Sequence, residues 1–281
     1  MKVADVMTKD PLCVNVPGTR ADLFELISNS NQTSFPVVKT ETGELIGIVT
    51  ETDIVNKPTE TQTALLMTKE PMTTTPKALI SDIIKILIEN DFRQLPVIVK
   101  KKVVGMITIG DIISKVIAIS ASENTIENFM TSTVLALWQD TPINICQKII
   151  SYAEAEAAIV FDNDMNMVGI ITNIDFVKIF DSKDSEKRDE MTAGEGKEGS
   201  WDAVSTIIVR TKDLVLPSEP VKEIMAKNVI TTFKKATISD VAKKMHRNSI
   251  FQLPVVDAKG NVVGMIRDSD LLKAFEKNEK S

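Results

Sequence analysis

Four aspartates carry the clearest chemical potential in this chain: Asp53, Asp111, Asp175 and Asp270. Each closes a phrase that opens on a glycine. The first copy reads Gly47-Ile48-Val49-Thr50-Glu51-Thr52-Asp53, and the second and third end as Thr108-x-x-Asp111 and Thr172-x-x-Asp175. In the fourth, Gly264-Met265-Ile266-Arg267-Asp268-Ser269-Asp270, an arginine takes the threonine's place. A carboxylate three residues after a threonine, where a helical pattern starts, has the make-up of a capping box worth on the order of 1 kcal/mol. It is equally an anionic hydrogen-bond acceptor that a ligand could use. The fourth copy weighs against capping as the whole explanation, because Asp270 persists where Arg267 has replaced the capping hydroxyl.

The elements that must position these groups repeat with them. In the first unit Leu12–Val16 reads as a strand, Thr19 with Asp22 as a helix start, and Leu23 to Asn29 as an amphipathic helix. Phe35-Pro36-Val37-Val38 is a second strand, with Pro36 expected at its beginning, and Leu45 to Thr50 a third; a short helix follows from about Thr52 to Asn56. The order strand, helix, strand, strand, helix recurs three more times, with helices predicted over 81–89, 143–152 and 239–247. A Met opens each unit, and the step from it to the glycine is nearly constant: 40 residues (7 to 47), 38 (67 to 105), 39 (130 to 169) and 39 (225 to 264). Fixed periods of this kind signal repeat architecture. The units divide at 1–58, 59–120, 121–180 and 218–281, leaving an insertion at 181–217. Its first half, to Ser200, is charged and almost without apolar residues, which predicts a flexible solvated loop; Val204 to Val209 has strand character.

Composition narrows the function classes. The 281 residues are 43% hydrophobic and 26% charged, an ordinary globular balance. A net charge of -6 argues against a nucleic-acid partner. The most apolar stretch, Val103 to Ser120, is interrupted by Asp111 and Lys115 and reads as strand then helix rather than as a membrane span. No signal peptide is apparent, so the cytoplasm is the expected location. Cys13 and Cys146 stand in no metal or redox spacing and are expected to be reduced thiols. The single histidine, His246, lies in a basic helical stretch and is expected at the surface. There are no parts for a Ser-His-Asp or Cys-His site, no Walker A motif and no Gly-rich dinucleotide loop, so no enzyme is expected and no metal or cofactor.

Four units with a Met at each opening, usually followed by Thr, a Leu-Pro-Val-Val-like second strand and a Gly-hydrophobic-hydrophobic-Thr-x-x-Asp ending resemble cystathionine-β-synthase (CBS) domains. The resemblance implies an α+β repeat fold in which four β-α-β-β-α repeats pair into two Bateman modules, one with two and three with four, in a disc-like assembly. The arrangement is similar to that of the gamma subunit of AMP-activated protein kinase and its archaeal relatives. It implies an adenosine ligand between paired repeats, AMP, ADP or ATP, with the Asp on the ribose hydroxyls and the Thr on ribose or phosphate. Carried over residue by residue, the candidate ligand-binding positions are Thr50, Asp53, Arg93, Thr108, Asp111, Thr172, Asp175, Arg267 and Asp270, with Thr8, Thr68 and Thr131 behind them.

Within that resemblance the clefts differ. Arg93, three residues before Pro96, stands where a phosphate-binding base is placed and is expected to face Asp53, making Thr50, Asp53 and Arg93 the most complete set. Asp111 would look to Thr33 and Ser34, and Asp175 to Phe251 and Gln252, both without a base. Glu154 and Glu156 would repel a phosphate near Asp270 unless Arg267 compensates, which suits S-adenosylmethionine or methylthioadenosine better. Three functions follow: a nucleotide sensor signalling to an unknown regulated protein, a sensor of those other adenosine compounds, or a ligand-free scaffold. A homodimer is compatible with each.

Overall fold

The computed structural model describes residues 1–30, 32–120, 122–182 and 216–279. The charged loop and the strand expected over Val204 to Val209 fall outside the described residues. Repeat one contains α1 (Val3–Val6), β1 (Thr8–Lys9), β2 (Val14–Val16), α2 (Arg20–Asn29), β3 (Ser34–Lys39), β4 (Leu45–Thr50) and α3 (Glu51–Asn56). Repeat two contains α4 (Thr63–Leu66), β5 (Thr68–Lys69), α5 (Ile80–Glu89), β6 (Gln94–Val99), β7 (Lys102–Thr108) and α6 (Ile109–Ile112), which runs on into a π-helical turn over Ile113–Ile117. Repeat three opens on a 3-10 turn (Ile126–Asn128) and continues as β8 (Ala136–Trp138), α7 (Ile143–Tyr152), β9 (Ala157–Phe161), β10 (Met167–Thr172) and α8 (Asn173–Ser182). Repeat four has a 3-10 turn (Val221–Glu223), α9 (Ile238–Asn248), β11 (Gln252–Val256), β12 (Val262–Arg267) and α10 (Asp268–Glu279).

Local chemistry accounts for most of these elements. Thr19 and Asp22 form the expected capping box at the start of α2. In α5 the buried positions Ile80, Ile83, Ile84 and Leu87 follow the i, i+3, i+4, i+7 spacing of one helix face. β3 is buried from Ser34 through Val38, as a strand covered on both faces must be. Pro36 is not the first residue of β3, as expected, but its third. The parallel ladder to β2 begins only at Val37, so the donor that Pro36 lacks falls before that ladder starts. Gly43, at φ 68, makes the turn between β3 and β4.

The residue after the Met that opens each repeat joins its neighbour's sheet. β1 of repeat one pairs with β7 of repeat two, Thr8 opposite Met106 and Lys9 opposite Gly105. β5 of repeat two returns to β4 of repeat one, Gly47 opposite Lys69 and Ile48 opposite Thr68. The same exchange joins repeats three and four through the bridges Thr131–Met265 and Ile170–Ala226. The phrase glycine admits the incoming strand: a Cβ on Gly105 would meet Met7 Sδ at 2.6 Å, and those of Gly47, Gly169 and Gly264 would meet the sulfur or methyl of Met67, Met225 and Met130.

Helices join the modules in the other direction. One core packs Ile84, Leu87, Ile112 and Ile117 of repeat two with Val241, Met245, Leu271 and Leu272 of repeat four. A second packs Leu23, Phe35 and Ile54 of repeat one with Cys146, Ile150 and Phe176 of repeat three. Strands therefore link one to two and three to four, helices link one to three and two to four, and the repeats close a ring. Cys13 and Cys146 are free thiols, and burial pushes the Cys146 thiol up to about 11. His246 is exposed, as expected.

Candidate functional site

The four aspartates all start helices, and all four use one oxygen, Oδ2, for that purpose. Asp53 Oδ2 accepts from the Thr50 N–H at 2.9 Å and the Thr50 hydroxyl at 2.8 Å, while the Asp53 N–H returns to Thr50 Oγ1 at 3.3 Å. Thr108 with Asp111 and Thr172 with Asp175 repeat the contact from N–H and hydroxyl. In repeat four the Arg267 N–H donates to Asp270 Oδ2 at 3.0 Å. The capping reading of the phrase is therefore correct as far as one oxygen of each carboxylate.

The second oxygen separates the copies. Asp111 Oδ1 accepts from the Thr8 hydroxyl at 3.0 Å and from Lys115 Nζ at 2.8 Å, so both oxygens of this carboxylate, 8% exposed, are engaged. Thr8 arrives on the exchanged strand β1, and Lys115 also donates to the Val6 carbonyl. Asp270 is held by the Arg267 guanidinium through Nε to Oδ2 and Nη2 to Oδ1 at 3.3 and 3.4 Å, and is 6% exposed. Asp53 and Asp175, both half-buried, have no partner for Oδ1 among the described residues. Burial raises the Asp175 carboxyl above its ordinary range, against the stabilising bonds from Thr172. Of the other hydroxyls, Thr68 is exposed on β5 opposite Ile48, and Thr131 donates to the Thr133 carbonyl.

A proline explains why repeat one differs from repeat two. Lys57 is four residues after Asp53, as Lys115 is after Asp111. Pro58 disfavours helical backbone at Lys57, which lies at φ -124, ψ 61, and α3 stops at Asn56. Lys57 Nζ turns to the carbonyls of Leu66 and Leu65 at 2.9 and 3.2 Å. No proline follows Lys115, so the helix continues through its π turn and Lys115 stays over Asp111.

Arg93 requires a correction. It does not pair with Asp53; its Nη2 donates to Asp268 at 2.6 Å and its Nη1 to Glu156 at 2.8 Å, both in the other module. The backbone gives the reason. The Glu51, Ile109 and Asp268 N–H groups donate to the carbonyls of Thr33, Arg93 and Phe251 respectively. The position before the second strand thus sits beside the residue after the threonine in its own repeat, on the side facing the opposite module. The Arg93 guanidinium also lies 5.5 Å from the centre of the Phe251 ring, a cation–π contact. The Phe251 ring is thus engaged by Arg93.

Glu51, Arg93, Glu156 and Asp268 form a charged cluster to which each repeat contributes one residue. Sequence reasoning passed over Glu51 and Asp268 because they lie inside the phrase between its marked positions. Burial pushes Glu51 up to about 7, with Arg93 opposing and Glu156 and Asp53 adding to the rise. Burial likewise raises Asp268 to about 6 despite Arg93. Burial disfavours the charge on Arg93, and Asp268 and Glu156 outweigh it, so Arg93 is held more firmly protonated than usual. Beside the cluster, where repeats two, three and four meet, is a cavity of about 160 Å³ bordered by Arg93, Glu154, Glu156, Arg267 and Lys273. It admits a compact polar group; sites for whole drug-sized ligands run to roughly 300–1,000 Å³.

The CBS domain family model matches residues 3–60, 64–118, 126–182 and 221–277, most of the chain. The chain belongs to the CBS domain family. Its four CBS domains have the architecture of two solved structures. One is an uncharacterized conserved protein from Pyrococcus horikoshii, 28% identical with 98% of this chain and 99% of that chain covered, TM-score 0.64. The other is MJ1225 from Methanocaldococcus jannaschii, proposed as an archaeal homolog of g-AMPK, 20% identical over 98% and 100% of the two chains, TM-score 0.78. Among curated sequences, the uncharacterized M. jannaschii proteins MJ0188 and MJ1404 are 38% and 29% identical over 116 and 220 residues, 40% and 76% of this chain. The matches span less than half of those relatives, 43% and 44%. No helix among the described residues of this CBS protein is long and apolar enough to cross a membrane.

Proposed function

We propose that this CBS protein is a non-catalytic regulatory sensor. It binds an adenosine-containing ligand, AMP, ADP or ATP, in clefts between exchanged repeats and passes occupancy to a regulated partner protein or a second copy of itself. The half-used carboxylate of Asp53 carries the reading. Thr50 fixes Oδ2, while Oδ1 has no partner among the described residues. The strand of the paired repeat that carries Thr68 lies alongside β4. An oriented carboxylate with a spare oxygen is a ready acceptor for sugar hydroxyls, and its fixed geometry lowers the ordering cost of binding. Membership of the CBS family supports the ligand class, and a chain with one histidine and no nucleotide-hydrolysis motif supports a role without catalysis.

Signalling has a physical route. α3 carries both Glu51, in the charged cluster, and Asp53; α10 carries both Asp268 and Asp270. A ligand that shifts the start of α3 at Asp53 moves Glu51, a residue of the inter-module cluster two positions away.

The test is thermal denaturation with AMP, ADP and ATP. A ligand at one hundred times its Kd adds about 2.7 kcal/mol, a melting shift of several degrees. The shift is expected in the native sequence and should shrink in Asp53→Ala. Absence of a shift with every adenosine compound overturns the reading.

One observation favours a second ligand, S-adenosylmethionine or methylthioadenosine. Arg93, the base expected to meet phosphate, is already neutralised by Glu156 and Asp268. A phosphate would have to displace Glu156, whereas an uncharged or cationic adenosine compound would not.

A further inference from the structure

We infer that the four ribose grips of this chain are two open and two internally plugged: repeats one and three take ligand through Asp53 and Asp175, while Lys115 and Arg267 act as built-in occupants that hold Asp111 and Asp270. The inference rests on the adenosine-binding reading and adds which clefts bind and which residues decide it.

The argument is hydrogen-bond accounting. A carboxylate offers about four acceptor positions on two oxygens. In repeat two all are met by protein: Oδ2 by the Thr108 N–H and hydroxyl, Oδ1 by Thr8 and Lys115. In repeat four Arg267 covers both oxygens of Asp270. A sugar entering either grip must break charge-assisted bonds to a buried carboxylate, and such bonds are about twice as strong as neutral ones. Among the described residues only Oδ2 is used in repeats one and three. The sugar adds bonds there and removes none.

The sequence arranges this by three independent means. Pro58 turns Lys57 away from Asp53, the position of Lys115 is taken by Ile179 in repeat three, and Arg267 replaces the threonine in repeat four. The two open grips belong to repeats that share one core, so both ligands would load the same side of the ring, where Asn173 Nδ2 also donates to Thr52 Oγ1 across the modules. Lys115 and Arg267 are thus specificity-determining residues.

The experiment is titration calorimetry of the whole chain with AMP and, separately, S-adenosylmethionine. Asp→Asn variants are used, because an asparagine keeps the capping oxygen and turns the other position into a donor. About two binding events per chain are expected. Asp53→Asn and Asp175→Asn should each remove one event or weaken it at least tenfold, and Asp111→Asn should leave the count unchanged. Arg267→Thr, which restores the phrase of the other repeats, should add a third. Circular dichroism melts of each variant exclude unfolding as the cause of a lost event. Loss of binding in Asp111→Asn with retention in Asp53→Asn overturns the inference while leaving the adenosine reading intact. A count of two in Arg267→Thr overturns the plug role of Arg267. No heat with either probe overturns the adenosine reading and the inference with it.

Discussion

Met67 occupies the space that a side chain at Gly47 would need. A Cβ on Gly47 would lie 2.5 Å from Met67 Sδ and 2.9 Å from the Thr68 carbonyl oxygen, although the two residues belong to different repeats. The near-constant Met-to-Gly spacing in the sequence therefore records no contact within a repeat. It is the imprint of a reciprocal one, Met67 on Gly47 and Met7 on Gly105.

Gly47→Ala should destabilise the chain by about 1–3 kcal/mol, the usual cost of overpacking a fitted core. Met67→Ala alone should also destabilise. The double variant should lose less than the sum of the two, but not recover fully, because the Thr68 carbonyl is backbone and cannot step aside. Equilibrium urea unfolding of the four proteins measures the coupling. Strict additivity would contradict the contact.

The two partners of Arg93 should behave differently. Asp268 has a 2% exposed side chain and Glu156 a 42% exposed one. Arg93→Ala strands a buried carboxylate and is expected to cost about 3–5 kcal/mol. Glu156→Ala removes only a surface-type pair, worth about 0–1 kcal/mol. Chemical denaturation of both variants decides this, and equal losses would show that burial does not govern the cluster.

Glu51 gives a pH dependence of definite sign. Its carboxyl is raised from 4.5 to about 7, and that of Asp268 from 3.8 to about 6. Both hold their protons more tightly in the fold, so folding bears no penalty from them while they are protonated in both states. The penalty grows as pH rises from about 4 to 7 and is complete above 7. For Glu51 it reaches at most about 3 kcal/mol, reduced by partial exposure. Glu51→Gln is expected to raise the melting temperature at pH 8 by a few degrees and to change it little at pH 4. A variant that tracks the native protein at both values would remove Glu51 from the account.

Much of the fold is legible in the residues, and the limits of that legibility are physical. Local signals are short-range: the Thr19–Asp22 box, the apolar face of α5 and the phrase itself all appear where spacing puts them. The pairing of one with two and three with four is legible only through the resemblance to CBS domains, because the repeat period alone does not say which units pair. Arg93 could not be placed the same way. Its type suits a phosphate, but its direction is set by which side of its own sheet the Ile109–Arg93 backbone bond presents, a relation between residues 16 apart (93 to 109). Lys115 and Lys57 occupy equivalent positions and only the proline after one of them separates their fates, a cue that acts through backbone geometry. The Thr and Asp pairs suit binding and capping alike, and Asp53 is a cap whose Oδ1 has no partner among the described residues.

The exchanged strands also decide where this chain can be cut. Severed between repeats one and two, each fragment would carry a strand that belongs in the other's sheet and lack one of its own. Severed near residues 121–124, between repeats two and three, each half keeps both members of its exchange. What those halves lose is the cover over their helices, Ile54 from Phe176 and Leu87 from Leu271. Two such fragments, mixed in solution, should re-associate as complements through those helix faces, whereas a cut between repeats three and four would part the residues exchanged at Thr131–Met265 and Ile170–Ala226.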